Sequence, residues 1–491
     1  MKFADLIETL PAAGGVAFGG ARTSTPELLS LARRAASNYG RRGIGPGDRI
    51  ASMIDNNLAA LVAWFGAALA GAEYVPINTR LRGSTLRHIL EDSAPRIVIA
   101  DRACAAAIDE AGASAPATVV DSLSWLAGLE REVESAAAGN GGGCMIYTSG
   151  TTGRPKGVQW RSETQAIHAT SYASELVPLA SGEQSYSCLP LFHVTCMGVT
   201  MASLIQGATI HIDPRFSASG FWQRLSQTQA VFFPYVGTIL SLLLKDPRVP
   251  APHRVRFAMG AAAPPAVFDR FEERFGVRLL ETWGQTETGS IWLANHDHVA
   301  GSIGRSCPRA DFRVVPLEGI ATGGELQVRP HERLSMMSGY HGDAVATAAA
   351  WTDGWYRTRD IVSADAGGNL FFSGRLADCL RRRGENVSAY EVEQAVLKHP
   401  DLLEAAVVGV DAELGEQDIA LYYVEREPGR LQSQALATWC RERLGDFMVP
   451  RYFCAVSEFP KTETQRIQKG ILHDQIRLRG AYDAERKETM R

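Results

Sequence analysis

The sequence predicts an α/β fold: a large N-terminal domain of parallel sheets covered by helices, with a small β region, and a smaller α+β C-terminal domain. Three observations support this. The chain of 491 residues is too long for one compact core. Short apolar runs alternate with amphipathic stretches, as in parallel sheets covered by helices. New strand and helix signals begin after Gly374. We therefore place a domain boundary near residues 374–378.

The N-terminal part repeats a strand–helix pattern along the chain. Residues 49–54 form an apolar run typical of a buried strand, and the Ala-rich run 58–72 predicts a buried helix. Residues 308–330 contain short strand signals broken by Gly323-Gly324, which indicates the small β region. The other predicted strands of this part are 73–77, 96–100, 144–146, 230–235, 255–259 and 277–280.

The C-terminal part carries signals of its own. Residues 391–397 predict the start of a helix, residues 404–410 predict a strand, and residues 432–444 predict a second helix. Helices and strands that follow each other in this way, with few strands, favour a small α+β domain.

Composition excludes several classes of protein. The net charge of −4 provides no broad basic field for nucleic acid or an anionic membrane. Asp5 interrupts the N-terminal region where a secretion signal needs an apolar run. The apolar stretch 58–72 is shorter than the ~20 residues that a membrane span requires. The eight cysteines form no C-x-x-C pair, so neither zinc nor a disulfide framework is indicated. We expect a cytoplasmic protein without a membrane span or a nucleic-acid partner.

The loop 147–157 carries the main functional prediction. Its sequence, Tyr-Thr-Ser-Gly-Thr-Thr-Gly-Arg-Pro-Lys-Gly, follows an apolar strand. Glycines let backbone N–H groups turn toward a phosphate, and hydroxyls and a lysine add further donors. The order of residues is not that of a Walker loop. On composition alone, a surface linker would fit equally well.

This loop resembles the phosphate-binding signature of the adenylate-forming superfamily, which includes acyl-CoA synthetases, adenylation domains of peptide synthetases and luciferases. The resemblance continues in order along the whole chain. It implies an ATP-binding role for these residues of the loop: Thr148, Ser149, Gly150, Thr151, Thr152, Gly153 and Lys156.

Two further segments resemble parts of the acyl and adenine sites of this superfamily. Residues 190–193, Pro-Leu-Phe-His, are similar to the segment whose histidine, here His193, borders the acyl pocket near the phosphates. Residues 260–264, Gly-Ala-Ala-Ala-Pro, are similar to a turn whose small side chains let flat groups approach the backbone. The resemblance assigns the acyl pocket to Gly260 and Ala261, and the nucleotide site to Ala262 and Ala263.

Residues 281–287, Glu-Thr-Trp-Gly-Gln-Thr-Glu, resemble the Y-G-x-T-E element of the superfamily. The resemblance implies that Glu287 binds Mg²⁺, a hard cation suited to carboxylate and phosphate oxygens. Thr286 would donate a hydrogen bond to the α-phosphate. Trp283 replaces the usual tyrosine and retains an aromatic face, and Gly284 follows it in the nucleotide site.

Residues 354–360, Gly-Trp-Tyr-Arg-Thr-Arg-Asp, resemble the element whose aspartate, here Asp360, binds the ribose hydroxyls. Arg359 replaces the usual glycine, so we expect a difference in the backbone at that point. Arg375 would also face the ribose.

Residues 378–393 form the longest specific match and are most similar to crotonobetaine/carnitine-type CoA ligases. In such enzymes this segment moves to the active site for thioester formation. The resemblance therefore implies a mobile C-terminal lid domain (379–491), an N-terminal domain (1–374), a hinge (375–378) and a CoA tunnel at Gly384, Glu385 and Asn386.

Two further positions depart from the superfamily pattern. Arg466 stands where a lysine normally bridges the carboxylate and the phosphate during adenylation, and a planar guanidinium does not replace a point charge. Lys469 could fill that place only with a change of register. At the hinge, Ala377 replaces the usual Asp or Lys. We expect adenylation, with Thr286, Glu287, His193 and Arg466 as its catalytic residues. The two departures favour an enzyme that performs one half-reaction better than the other.

The run 231–237 contains Phe233 and Tyr235, which we predict to line the acyl pocket. A core strand would show the same pattern. The run has no acid to hold an amine, which disfavours a free amino acid as substrate.

The predicted function is ATP- and Mg²⁺-dependent activation of a small-molecule carboxylic acid to an acyl-adenylate, followed by transfer to CoA. One alternative is an adenylation-only enzyme that passes its product to an acyl carrier protein or a partner ligase. A non-catalytic nucleotide-binding regulator is a second alternative, disfavoured because Lys156, Glu287 and Asp360 are all present. Assembly as a homodimer is left open.

Overall fold

A computed structural model describes residues 1–113, 118–129, 142–148, 154–317, 320, 323–382, 385–411, 417–461, 467–474 and 480–490. The chain divides into two compact units. The first comprises Met1–Asp311 and Arg329–Gly354, and the second comprises Phe312–Val328 and Trp355–Arg491.

Helices of six to seventeen residues occur in both units. They are α1 (Phe3–Glu8), α2 (Thr25–Arg41), α3 (Leu58–Ala70), α4 (Gly83–Ser93), α5 (Arg102–Ala111), α6 (Ser122–Leu129), α7 (Ser162–Ser171), α8 (Val194–Ile205), α9 (Phe221–Thr228), α10 (Gly237–Lys245), α11 (Pro265–Phe275), α12 (Ala344–Ala349), α13 (Ala389–Val396), α14 (Ser433–Arg441) and α15 (Lys469–Asp474). A π-helical turn, Tyr172–Leu176, extends α7, and 3₁₀ turns span Arg333–Ser335 and Leu376–Asp378.

The strands are mostly short. They are β1 (Gly15–Phe18), β2 (Ala21–Ser24), β3 (Arg49–Met53), β4 (Glu73–Pro76), β5 (Ile97–Ala100), β6 (Thr118–Asp121), β7 (Cys144–Thr148), β8 (Lys156–Trp160), β9 (Gln184–Ser187), β10 (Thr209–Ile212), β11 (Phe232–Val236), β12 (Phe257–Ala261), β13 (Arg278–Trp283), β14 (Leu293–Ala294), β15 (Ala310–Pro316), β16 (Gly324–Pro330), β17 (Gly339–Tyr340), β18 (Trp351–Thr352), β19 (Trp355–Ala364), β20 (Leu370–Arg375), β21 (Cys379–Arg382), β22 (Glu385–Ser388), β23 (Leu402–Asp411), β24 (Gln417–Glu425), β25 (Tyr452–Ala455), β26 (Tyr482–Asp483) and β27 (Glu488–Thr489).

Two mainly parallel sheets form the centre of the first unit. One has the order β14-β13-β12-β11-β9-β10-β1-β2, and the other has the order β17-β8-β7-β4-β3-β5-β6. Among the described strands of these sheets, antiparallel pairing lies at the ends, in β13–β14, β1–β2, β7–β8 and β8–β17. Strand β5 is apolar throughout and fully buried, and residues 50–53 of β3 are buried, as expected where both faces of a parallel sheet are covered.

The predicted helix at 58–72 is α3, and its sequence explains both ends. The side chain of Asn57 accepts a hydrogen bond from the N–H of Ala59 at 2.9 Å and caps the start. Gly71 ends the helix with φ 75°, a left-handed conformation that glycine adopts without strain. Residues 59–70 are all buried, as expected for a helix that is apolar on every side.

The second unit contains a five-stranded sheet in the order β23-β24-β25-β26-β27. Helices α13 and α14 cover one face through Val392, Val396 and Leu436, and Leu472 of α15 packs in the cluster on the other. In the same unit, β19 pairs antiparallel with β16 and with β20. The predicted α/β class, with a large N-terminal part of parallel sheets and a smaller C-terminal part, is confirmed.

The predicted elements match observed ones with shifts of one to three residues at most ends. The strand predicted at 49–54 is β3, the run at 308–330 contains β15 and β16, and the helix predicted at 432–444 is α14. The hinge predicted at 375–378 falls within the second unit, where the turn Leu376–Asp378 lies. The hinge and the domain limits stay predictions.

Candidate active site

The strands on either side of the predicted phosphate loop bring its two ends together. Strands β7 and β8 pair antiparallel with Thr148 opposite Lys156, and the loop connects them. Both side chains are partly accessible, so both can reach a ligand above the sheet. The loop residues predicted to bind phosphate between them lie outside the described residues: Ser149, Gly150, Thr151, Thr152 and Gly153.

Glu287 lies beside Thr148, where strand β7 ends, although 139 positions separate the two residues in the chain. The hydroxyl of Thr148 donates to Oε1 of Glu287 at 3.4 Å, and the hydroxyl of Tyr340 donates to the same oxygen at 3.2 Å. The indole N–H of Trp160 donates to the carbonyl of Thr286 at 2.8 Å. The structure therefore brings together three predicted residues, Thr148, Thr286 and Glu287, from two motifs.

Lys156 contacts two residues that the sequence analysis missed. Its Nζ lies 5.0 Å from the centre of the Tyr340 ring and 3.8 Å from Oδ2 of Asp343. A cation over an aromatic face is stabilised by about 0.5–1 kcal/mol at an exposed site. Tyr340 and Asp343 follow Gly339 in a segment with no pattern that points to phosphate chemistry, so only the fold reveals them.

The small-residue turn at the end of β12 is held by close contacts. Ala262 has φ 63°, a left-handed conformation unusual for a residue other than glycine. A Cβ atom on Gly237 would lie 1.7 Å from the carbonyl oxygen of Ala262, so only glycine allows α10 to start beside this turn. Ala261 and Ala262 are exposed, which leaves room for a flat group against them.

Glu281 connects this turn to Tyr235. Its Oε1 accepts a hydrogen bond from the N–H of Ala263 at 3.1 Å, and its Oε2 accepts one from the hydroxyl of Tyr235 at 2.7 Å. The carboxyl group is buried. Burial outweighs these hydrogen bonds and raises the pKa of Glu281 to about 8, so the group is largely uncharged at neutral pH.

The predicted acyl-pocket residues on β11 pack inside the first unit. Phe233 is fully buried with its ring edge-on to Phe221 at 5.0 Å. The ring of Tyr235 lies against Gly260, where a Cβ atom would come within 2.6 Å of the ring. The pocket role of Phe233, Tyr235, Gly260 and Ala261 stays a prediction.

His193 lies just before α8 with its ring 4.8 Å from that of Phe192. Burial lowers the pKa of His193 to about 4, so the imidazole is neutral at neutral pH. A neutral ring can border an acyl group without adding a charge.

A second histidine, His168, was not predicted. Its Nδ1 lies 3.0 Å from the carbonyl oxygen of Gly289 and its Nε2 lies 3.1 Å from that of Val194. It therefore links the chain just after Glu287 with the chain just after His193. Burial lowers the pKa of His168 to about 4. One histidine within a helix gives no signal of this kind, because its partners are distant in sequence.

The predicted nucleotide residues Trp283 and Gly284 lie at the end of β13 and just after it. The Trp283 side chain is 6% exposed, while Gly284 is exposed. The role of Trp283 toward adenine stays a prediction.

The two predicted ribose-binding residues of the second unit pair with each other. Asp360 and Arg375 are opposite each other on β19 and β20, and Nε of Arg375 lies 3.3 Å from Oδ1 of Asp360. The Asp360 side chain is 3% exposed. Arg359, which replaces the usual glycine, adopts a glycine-like backbone with φ 58°. Its N–H donates to Oε1 of Glu325 at 3.3 Å.

The C-terminal segment is described in part. Gly384 and Arg466 lie outside the described residues, and the backbone of Glu385 and Asn386 lies in β22. Nζ of Lys469 is 2.8 Å from Oε1 of Glu393 and 3.9 Å from Oδ2 of Asp378. Lys469 is thus bound by two carboxylates of its own unit.

Comparison with known proteins places these motifs in a family. Residues 8–341 match the model of the AMP-binding enzyme family, and residues 391–466 match the C-terminal domain of AMP-binding enzymes. The chain belongs to the AMP-binding enzyme family. The first match covers most of the chain. It supports the same family as the order of the motifs.

Relatives of this AMP-binding enzyme are CoA ligases. It is 33% identical over 462 residues to the sulfoacetate–CoA ligase of Cupriavidus necator, covering 90% of each chain. It is 30% identical over 475 residues to a long-chain-fatty-acid–CoA ligase of Mycobacterium tuberculosis, covering 92% of this chain and 93% of the relative. A benzoate CoA ligase from Burkholderia xenovorans has a similar structure, with a TM-score of 0.85, 27% identity, and coverage of 96% and 100%.

The enzyme is an acyl-CoA synthetase that uses ATP to form an acyl-adenylate and then a CoA thioester. Its substrates are therefore ATP, CoA and a carboxylic acid. Across the described residues, every helix is too short or too polar to cross a bilayer. The location in the cytoplasm, a homodimer and a carrier-protein partner stay predictions.

Proposed function

We propose that the adenylation site of this acyl-CoA synthetase is the cluster of Thr148, Lys156, Thr286 and Glu287, with Glu287 as the Mg²⁺ ligand. The observation that supports the proposal is the contact of Thr148 with Glu287 at 3.4 Å, beside the strand end that carries Lys156. A lone carboxylate suits Mg²⁺, which takes few protein ligands and is otherwise bound by phosphate oxygens and water.

In the first half-reaction, a carboxylate oxygen of the acid attacks the α-phosphorus of ATP, and the bond from that phosphorus to pyrophosphate breaks. Lys156 and the Thr148 hydroxyl bind phosphate oxygens, and Thr286 donates to the α-phosphate. Bound Mg²⁺ would supply neutralisation of the phosphate charge. The work of these residues is positioning and charge stabilisation.

In the second half-reaction, the thiol of CoA loses its proton to water and its sulfur bonds to the carbonyl carbon of the mixed anhydride. The bond from that carbon to the phosphate oxygen breaks, and AMP leaves. We assign Gly384, Glu385 and Asn386 to the CoA tunnel and Ala377 to the hinge. His193 borders the acyl group as a neutral ring, consistent with a pKa lowered to about 4.

The substrate class follows from charge at the acyl site. Glu281 is the acid that contacts Tyr235, and burial keeps it largely uncharged at neutral pH. It is therefore a poor partner for an α-ammonium group. We infer a carboxylic acid without an α-amino group, in keeping with the sulfoacetate, fatty-acid and benzoate ligases to which the chain is similar.

Acid-dependent ATP–pyrophosphate exchange tests the adenylation site, with sulfoacetate, fatty acids, benzoate and free amino acids as the panel. The same reactions with CoA measure thioester formation. Exchange with at least one acid and none with amino acids is expected. No exchange with any acid, together with ATP binding, would instead favour a non-catalytic regulator.

Arg466 tests whether the two half-reactions are unequal. We expect Arg466→Lys to accelerate pyrophosphate exchange about tenfold, equivalent to roughly 1.4 kcal/mol of barrier, because an ammonium can bridge carboxylate and phosphate as a point charge. Thioester formation from preformed acyl-adenylate should change little. Arg443→Lys, on the exposed surface of the second unit, is the matched control. Equal rates for wild type and Arg466→Lys in both assays would reject the inequality.

A further inference from the structure

Tyr340 is fixed in place by its backbone. It pairs with Val158 across β17 and β8, directly after the phosphate loop, and its N–H donates to Oγ1 of Thr347 at 2.9 Å. The next residue, His341, donates its N–H to the carbonyl of Gly157 at 2.8 Å. The strand pairing and the His341 bond fix this backbone to the strand that begins at Lys156, and the Thr347 bond fixes it to α12.

The hydroxyl of Tyr340 faces the proposed metal ligand. It donates to Oε1 of Glu287 at 3.2 Å, the oxygen that also accepts from Thr148. The backbone supports this contact, because the N–H of Met337 donates to the carbonyl of Glu287 at 3.0 Å. The hydroxyl therefore orients a carboxylate without adding a positive charge that would compete with a metal ion.

The ring of Tyr340 faces the proposed phosphate-binding lysine. Nζ of Lys156 lies 5.0 Å from the ring centre, close enough for attraction by the electron-rich face. Asp343 holds the same ammonium at 3.8 Å. Both partners are on the segment 339–343, so Lys156 is positioned by this segment before a phosphate arrives.

We propose that Tyr340 is a positioning residue that couples the metal and the phosphate parts of the site, so that the enzyme binds a magnesium–nucleoside triphosphate as one unit. Its hydroxyl orients Glu287 and its ring orients Lys156. The proposal rests on the function proposed above for these two residues. The new element is that one side chain, Tyr340, orients both Glu287 and Lys156.

Two substitutions separate the two contacts. Tyr340→Phe keeps the ring and removes the hydroxyl, whereas Tyr340→Leu removes both. ATP binding is measured by titration calorimetry without acid or CoA, so that no reaction occurs, once with Mg²⁺ and once with EDTA. Tyr39→Phe in α2 is the matched control for loss of a tyrosine hydroxyl outside the site.

Tyr340→Phe should reduce the gain in ATP affinity produced by Mg²⁺ by about three- to tenfold, as expected for one lost hydrogen bond, and leave affinity in EDTA unchanged. Tyr340→Leu should also weaken binding in EDTA. Tyr39→Phe should change neither. Thermal melting confirms that each variant is folded. Thr148→Val removes the other hydroxyl on Glu287 and also a proposed phosphate donor, so it should weaken ATP binding both with Mg²⁺ and with EDTA.

Two results would overturn the coupling. Equal losses with Mg²⁺ and with EDTA in Tyr340→Phe would show a general structural role. No loss in either condition would show that the hydroxyl does not act on Glu287. If wild-type affinity does not depend on Mg²⁺, then the metal role of Glu287 fails, and the proposed function fails with it.

Discussion

The two units hold their functional carboxylates in different ways. In the first unit, Glu287 accepts hydrogen bonds from the hydroxyls of Thr148 and Tyr340. In the second unit, Asp360 pairs with the guanidinium of Arg375 at 3.3 Å. A hydroxyl orients a carboxylate and leaves its charge for a cation, whereas a guanidinium also neutralises it.

The contrast extends to other buried acids. Glu281 of the first unit is bound by a tyrosine hydroxyl and a backbone N–H. Glu325 of the second unit contacts Nε of Arg357 at 3.1 Å and has a 2% exposed side chain. The difference suits the two predicted tasks: we propose that the first unit receives a metal ion and phosphates, and the predicted role of Asp360 is to accept hydrogen bonds from uncharged ribose hydroxyls.

The largest expected effect on ATP affinity comes from breaking the pair in the second unit. Asp360→Asn removes the charge and leaves the Arg375 guanidinium beside a neutral amide. We expect the free energy of unfolding to fall by about 1–3 kcal/mol and ATP affinity to fall roughly tenfold or more. Urea unfolding and titration calorimetry measure the two quantities.

A double-mutant cycle with Arg375→Gln provides the control for this pair. If the two residues act together, the double variant loses less stability than the sum of the single variants. Strictly additive losses would mean that the ion pair does not hold Asp360, and the contrast between the units would disappear.

Glu281 tests the first unit, because its hydrogen-bond partners are the hydroxyl of Tyr235 and the backbone N–H of Ala263, which carry no charge. Its pKa is raised from 4.5 to about 8 by burial, so the folded protein keeps a proton that the unfolded chain releases. Stability contributed by this group is therefore complete below about pH 4.5 and is lost as pH rises through 8. The slope is up to about 1.4 kcal/mol per pH unit within that window.

Glu281→Gln should flatten this slope, because an amide stays neutral while it keeps an acceptor for the N–H of Ala263. Urea unfolding at several pH values between about 5 and 8 measures the slope. Glu110→Gln, an exposed residue of α5, is the control and should keep the wild-type slope. A slope that is the same in Glu281→Gln and wild type would contradict protonation of Glu281.

The sequence predicted the parts of the site whose signals are local. The α/β class follows from the spacing of apolar runs. Thr148 and Glu287 belong to two motifs that resemble one family, and the structure shows that the two residues are in contact. The ribose pair Asp360 and Arg375 was predicted as two separate residues, and their register on adjacent strands brings them together. Local composition predicts whether a segment is a helix or a strand, and a family motif predicts which site its residues take part in.

The residues that were missed act through distant contacts. Tyr340 is 53 positions from Glu287, and His168 is 121 positions from Gly289. Neither has a neighbour in sequence that indicates its partner. The β11 run shows the opposite difficulty, because a buried Phe233 gives the same apolar pattern as a pocket wall. Burial and pairing in three dimensions are needed to distinguish these cases.

The smallest expected effect concerns the backbone of the second unit. Arg359 is exposed and adopts φ 58°, which costs about 1–2 kcal/mol for a residue with a Cβ atom. Glycine adopts this conformation freely but has more freedom in the unfolded chain. We expect Arg359→Gly to raise the free energy of unfolding by about 0.5–1 kcal/mol, measured by urea unfolding.

Ser363→Gly is the matched control, because Ser363 lies on the same strand and is absent from the residues with positive φ. That variant should lose about 0.5–1 kcal/mol. The hydrogen bond from the N–H of residue 359 to Glu325 is retained in Arg359→Gly, so the Arg357–Glu325 pair stays in place. A loss of stability in Arg359→Gly would show that the arginine side chain, rather than the backbone, supports the strand before Asp360. Arg359 would then be a further cationic side chain that stabilises the second unit, in addition to Arg357 and Arg375.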